Sequence, residues 1–207
     1  MAVIATTKLQ AVNTILSGIG EAPVNAIPAS RADAVMAESI LDETTREVLS
    51  VGWHFNTEVR QFTRDVNNKI AVGTQYAKCD VADSEALFRR DYDMVVRDDG
   101  GTLRLYNKVT NSFTLDRDFK CEVVEWLEFE EIPETARRYI MIKAARVFQD
   151  RSAGAPRVHG FQMQDEIRAL ADLRDQEATD GDYTIFEGWA AGRTVMRRSV
   201  LNNLNHF

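Results

Sequence analysis

An α+β fold is predicted for this chain of 207 residues: a four-helix core, with two helices at each end, an inserted small antiparallel β-sheet and an extended C-terminal tail. Three observations predict it. Apolar residues recur at helical spacing up to Gly52 and again after Pro133. Between these stretches the period shortens to two and hairpin turn residues appear. Beyond Gly181 neither period survives. The expected boundaries are 1–52 and 132–180 for the helical core, 53–131 for the inserted β region and 181–207 for the tail.

The first helix rests on Leu9, Val12, Leu16 and Ile19, with Gly20 as a left-handed stop. Pro23 and Pro28 hold the following connection extended. Ser30 has the chemistry of an N-cap, and Asp33 supplies an acidic first turn. Behind them Ala34, Ala37, Leu41, Thr44 and Val48 trace one face of a longer helix that Gly52 ends.

From Trp53 to Phe129 the signals are those of strands. Tyr92, Met94 and Val96 alternate with Asp93 and Arg97, and Leu103 and Leu105 flank Arg104. Between these runs, Asp98-Asp99-Gly100-Gly101 is hairpin turn chemistry. Cys121 to Phe129 is apolar and β-branched enough for a further strand. Pro133 and Glu134 then open a third helix. Its stretch Tyr139–Phe148 is apolar almost all round, apart from Lys143 and Arg146, so burial on most sides is expected. Gly154-Ala155-Pro156 breaks it. A last helix is expected to bury Met163, Ile167, Leu170, Ala171 and Arg174 along one face, and Gly181 closes it.

Composition bounds the function. With 44% hydrophobic and 28% charged residues the chain is that of an ordinary globular protein, long enough to bury a core without staples. A formal net charge of -7 argues against a sequence-reading DNA binder, which needs a basic face. It remains compatible with a protein past which DNA slides. Cys79 and Cys121 are too few and too far apart along the chain for a disulfide framework or a zinc site, and they fit a reducing cytosol. Met1 to Thr7 lacks the pattern of a signal peptide, and no apolar run approaches the ~20 residues of a membrane span. Synthesis in the cytoplasm, without a membrane anchor, is the expectation.

Candidate chemistry is sparse. His54, between Trp53 and Phe55, is expected to be packed, and His159 and His206 to be solvated. None has a second ligand at metal-binding spacing, so no metal is expected. Glu122, Glu125, Glu128, Glu130, Glu131 and Glu134 form the densest acidic cluster, expected as a solvated or mutually repulsive face. A glycosidase needs two such groups facing across a cleft, which one strand and its following loop do not supply. Asp91 and Asp93 are placed on one side of a strand edge. No nucleophile elbow, phosphate loop or dinucleotide fingerprint occurs. No catalytic residue and no cofactor are therefore expected. The tail combines Tyr183, Phe186 and Trp189 with Arg193, Arg197 and Arg198, the residue types favoured at interface anchors. These are the candidate partner-docking residues, against the alternative that the tail folds back on its own domain.

Ala11-Val12-Asn13, Leu16, Ile19-Gly20-Glu21 and Pro23-Val24 resemble the N-terminal signature of the tail tubular protein A family, the head-to-tail adaptors of short-tailed bacteriophages. Gly52-Trp53 with Phe55-Asn56 is similar to the family's end of the second helix. So are Ile132-Pro133-Glu134, Arg138-Tyr139, Lys143-Ala144, Arg146, Phe148 and Gly154-Ala155-Pro156 in the second half. Order and spacing agree from Leu9 to about Leu173, loosely in the middle and hardly beyond Gly181. The resemblance implies a non-enzymatic virion protein: a dodecameric ring between the portal and the tail nozzle that continues the channel for ejected double-stranded DNA. It further implies that the helical part lies toward the portal and the sheet toward the nozzle. The alternative of another class is a virion-borne hydrolase of surface polysaccharide or cell wall, for which Trp126 and its neighbouring glutamates are the candidates.

Overall fold

The structure, a computed structural model, describes residues 5–27, 30–82, 84–85, 91–152 and 156–181, without the side chains of 156–159. Helix α1 spans Lys8–Ser17. Thr7 caps it: its hydroxyl accepts from the Gln10 N–H at 3.3 Å, and the Gln10 side chain accepts from the Thr7 N–H at 3.0 Å. Ala11, Val12, Ile15 and Leu16 are fully buried. The helix stops at Ser17, before the predicted Ile19. Gly20 at φ +83° turns the chain so that the Glu21 N–H reaches the Leu16 carbonyl at 3.1 Å.

Helix α2 spans Ala32–Leu49. Its N-cap is Arg31, with no side-chain hydrogen bond, so Ser30 does not cap it; only Asp33 complements the exposed N–H groups. Pro28 lies outside the described residues. The predicted face Ala34, Ala37, Leu41, Thr44 and Val48 is buried, joined by Ile40, Thr45 and Leu49. Gly52, at φ +82°, ends it as expected.

Among the described residues the β region holds five strands: β1 Thr57–Phe62, β2 Tyr76–Val81, β3 Met94–Asp98, β4 Leu103–Asn107 and β5 Phe119–Glu125. They form two antiparallel sheets where one was expected: β1-β5-β2, and the hairpin β3-β4. The hairpin turn is the predicted one. Gly100 and Gly101 both have positive φ, and the Gly101 N–H donates to the Asp98 carboxylate at 3.0 Å. Strand β5 starts and ends earlier than predicted, and Phe129 opens a 3-10 turn through Glu131 instead. Met94, Leu105, Phe119, Cys121 and Val123 meet in a core of their own, separate from the helical one. Trp53 and Phe129, at the two junctions, pack into the helical cluster.

Helix α3, Glu134–Ser152, follows Pro133 directly. It buries Ala136, Tyr139, Ile140, Ala144 and Phe148 and packs against α1, α2 and helix α4, which spans Pro156–Asp180. The α3 expectation holds. That for α4 does not: among its described side chains Ala169 and Leu173 are the buried apolar ones, whereas Met163 and Ile167 are 51% and 59% exposed and Ala171 and Arg174 are exposed. Only Leu170 of the predicted face packs, in part, on the core. The periodicity located a genuine apolar stripe, but α3 packs on the adjacent one, which carries Glu166, Ala169 and Leu173.

Candidate docking surfaces

The acidic cluster is largely structural. Glu134 accepts from the Thr6 N–H at 2.8 Å and from the Thr6 hydroxyl at 2.5 Å, and Glu130 accepts from the Lys8 N–H at 3.0 Å. Both carboxylates thus sit at the N-terminus of α1, where unsatisfied N–H groups favour negative charge. Glu131 caps its own 3-10 turn through the Glu128 N–H at 3.1 Å. Glu125 pairs with Arg60 at 3.3 Å. Glu125, Glu130 and Glu134 depart from a mutually repulsive face because they bind distant chain segments that sequence spacing does not reveal, while Glu130 and Glu131 stay exposed as expected. Burial works against the charge of Glu134, but the Thr6 bonds prevail and hold its carboxyl below its ordinary value.

Arg137, buried beneath this cluster, was not singled out from sequence. Its guanidinium donates to the Ile132 carbonyl at 2.6 Å, to the Thr6 carbonyl at 2.7 Å and to the Glu130 carbonyl. It ties the entry of α1 to the segment between β5 and α3. The first arginine of the pair Arg137-Arg138, near a helix start, carries no sequence sign of such burial.

The remaining sequence candidates separate. His54 is exposed, not packed. It lies in the 3-10 turn His54–Asn56, whose three-residue period turns Trp53 and Asn56 inward together and His54 outward. His206 and the side chain of His159 lie outside the described residues. Asp91 and Asp93 precede β3 rather than belonging to a strand edge; Asp93 pairs with Lys108 at 2.6 Å. Trp126 is 36% exposed, but the glutamates beside it are committed as caps and ion pairs. Among the described residues no His, Cys, Asp and Glu group is placed to hold a metal ion, and no helix is long and apolar enough to cross a membrane. Cys79 and Cys121, far apart in sequence, meet in the β core as free thiols. The hydrogen bond with Cys121, then burial, pushes the Cys79 thiol well up. The six tail residues Tyr183, Phe186, Trp189, Arg193, Arg197 and Arg198 lie outside the described residues.

Two surface features stand out on α4. One is the exposed stripe of Met163 and Ile167. The other is a hollow of about 360 Å³ on the opposite flank, between α4, α3 and the end of α1. Ile142, Ala145 and Ala169 give it an apolar floor, and Thr14 and Gly18 close one side. In its wall the Gln162 Oε1 is shut from solvent and has no hydrogen-bond partner.

A family model described as "Tail tubular protein" matches residues 9–183. The chain belongs to the tail tubular protein family. It is also 29% identical over 133 residues to a protein described as "Tail tubular protein A" from Klebsiella phage KP34. That alignment covers 64% of this chain and 66% of the relative, just under two thirds of its length. This is a structural tail protein of a bacteriophage, a component of the virion.

The residues that carry the tail tubular resemblance have visible structural jobs. Asn13 binds both backbone groups of Val24. Asn56 donates to the carbonyls of Leu49 and Glu125, both at 3.0 Å, which joins the end of α2 to the end of β5. The Trp53 indole N–H donates to the Val48 carbonyl at 2.8 Å. Arg146 on α3 pairs with Glu166 on α4 at 2.5 Å, and Lys143 pairs with Glu47 on α2 at 2.8 Å. These residues thus join the helices to one another and to the sheet.

Proposed function

We propose that this tail tubular protein is a non-enzymatic adaptor: a ring, dodecameric in the virion, seated between the portal and the tail nozzle and continuing the channel through which double-stranded DNA leaves. The family match over residues 9–183 carries the reading. The division of labour at the matched positions supports it, since they are spent on joints and ion pairs between elements. In this reading 1–52 and 132–180 form the helical core that faces the portal, and the inserted region 53–131 faces the nozzle. The two separate hydrophobic cores support treating the parts as distinct docking bodies.

The net charge of -7 supports a channel that repels DNA instead of holding it. The tail, with Trp189 and its neighbouring arginines, is proposed to engage partners on docking; all but its first residues lie beyond the matched region. Synthesis in the cytoplasm of the bacterial host precedes assembly. Among the described residues the hydrolase reading finds no support at its candidates, because Glu128 and Glu131 share one turn and do not face each other across a groove.

Mixing the purified chain with portal rings of the same phage tests the proposal. Binding of a fixed number of copies per portal ring is expected. A chain that stays apart from portal rings, or that degrades host glycan in a manner lost in Glu128→Gln or Glu131→Gln, would overturn it.

A further inference from the structure

We infer that the Met163–Ile167 stripe of one subunit seats in the α1/α3/α4 hollow of the next copy of this chain, and that this contact closes the ring. The inference rests on the ring reading above and assigns its lateral interface.

A closed ring built from head-to-tail contacts imposes two geometric conditions. The two mating surfaces must lie on nearly opposite sides of the subunit. They must also lie at the same height, because rotation about the ring axis does not move a feature along it. With α4 set along the ring axis, both conditions are met. At about 100° per residue, the exposed side chains of Met163, Ile167 and Arg174 centre roughly 170° around the helix axis from the hollow-lining positions Gln162, Asp165, Arg168 and Asp172. A ring of twelve turns each subunit by roughly 30°, which asks for faces about 150° apart.

Height is fixed by the α3–α4 pairing. Arg146 meets Glu166 at 2.5 Å, and Thr135 is hydrogen-bonded to Gln176, so the two helices run antiparallel in a defined register. Stepping back one residue on α3 steps forward one on α4. Ala145, on the floor of the hollow, is therefore level with Ile167, and Ile142 is about one turn further along. The exposed apolar stripe of one copy would meet the apolar floor of its neighbour without any shift along the axis.

Polar groups agree with this fit. Among the described residues neither Arg174, at the end of the stripe, nor Asp172, on the rim of the hollow, has an ion-pair partner within the subunit. They lie two residues apart on the same helix, so the contact brings Arg174 of one copy to the height of Asp172 in the next. One such interface is small, but repetition around a closed ring adds avidity.

Cross-linking within assembled particles tests the assignment. The double variant Ile167→Cys/Ala145→Cys would be supplied in infected cells to a phage lacking this gene, and purified particles would be oxidised with copper phenanthroline. A non-reducing gel is expected to show a ladder of linked chains from dimers upward, while each single variant stays monomeric. A monomeric double variant in particles that hold a ring of this chain would overturn the inference and leave the ring reading standing, as would dimers from Ile167→Cys alone. Particles that hold the chain in no ring would overturn the ring reading itself. As a second measure, Ile167→Glu places a charge on an exposed position, so its Tm should match wild type while its incorporation falls at least tenfold. Wild-type incorporation of Ile167→Glu would contradict the assignment.

Discussion

Asn13 and Val24 exchange two hydrogen bonds across the first interhelical connection: the Asn13 amide donates to the Val24 carbonyl at 2.9 Å, and the Val24 N–H donates to the Asn13 carbonyl oxygen at 2.8 Å. An asparagine supplies a donor and an acceptor in one plane, which pairs with an extended backbone as another strand would. Val24 is itself buried, so its backbone groups have little water to fall back on. Asn13→Ala is expected to destabilise the chain by about 2 kcal/mol. Asn13→Asp should do no better, since the donor is lost. Urea titration followed by circular dichroism measures both; an unchanged midpoint for Asn13→Ala would contradict the role.

Arg137 is a buried strut whose three recipients are all main-chain carbonyls. Arg137→Ala leaves those carbonyls short of partners and is expected to cost about 3 kcal/mol or more. Arg137→Lys retains the charge but not the forked geometry, and should recover only part of the loss. The comparison of the two unfolding midpoints separates charge from geometry.

Gly52 combines φ +82° with a close approach: an added Cβ would stand 2.9 Å from Val124 Cγ2 on β5. Gly52→Ala therefore pays both for the left-handed backbone and for the overlap, about 2–4 kcal/mol together. Gly20, at φ +83° with open space around it, should lose only the first part, about 1–2 kcal/mol for Gly20→Ala. Similar losses at both positions would show that the joint between α2 and β5 is not tight.

Acid should destabilise the protein through several small contributions. Bonds from the Lys69 N–H, then from Arg104, hold Asp65 below its ordinary 3.8, and bonds from Arg64 do the same for Asp118. Glu134 is held below its ordinary 4.5. A carboxyl with a lowered folded-state pKa contributes stability above its unfolded value, and that stability is lost as pH falls through the folded value. The urea midpoint is expected to stay level from about pH 7 to pH 5 and to drop below about pH 4. Glu134→Gln should flatten part of that drop. Asp65 is exposed and Asp118 half-buried at the surface, so their individual shares are small.

The two thiols report on the β core. Cys79 is 3% exposed and Cys121 fully buried, and the Cys79 thiol is held protonated by its neighbour and by burial. The native protein is expected to resist a water-soluble thiol reagent at pH 8, with both thiols reacting once urea unfolds the chain. Rapid labelling of either in the native state would contradict the burial.

How much of this was legible in the sequence depends on the range of the interaction. Local signals held: the Asp98–Gly101 turn, the stops at Gly20 and Gly52, the buried face of α2 and the burial of α3. Choices between alternatives of similar local merit did not. On α4 the sequence offered a larger apolar stripe, yet the subunit buries Ala169 and Leu173 beside it, on the side where Arg146 of α3 meets Glu166. His54 followed the 3-10 turn outward despite its aromatic neighbours. Besides the local Thr7–Gln10 cap, the entry of α1 is held by Glu130 and Glu134, more than a hundred residues away, and no local pattern announces these two. The stripe misread as core is the same stripe assigned above to a neighbouring copy: helical periodicity identifies a surface that wants burial, but not whether the partner is within the chain.

The number of copies held at a portal vertex tests the central claim most directly. Mass measurement of portal rings before and after saturation with the purified chain should show a single complex carrying the proposed closed ring of twelve copies, with no intermediate stoichiometry persisting at excess. Portal rings whose mass does not change, or that take up one or two copies and no more, would contradict the account.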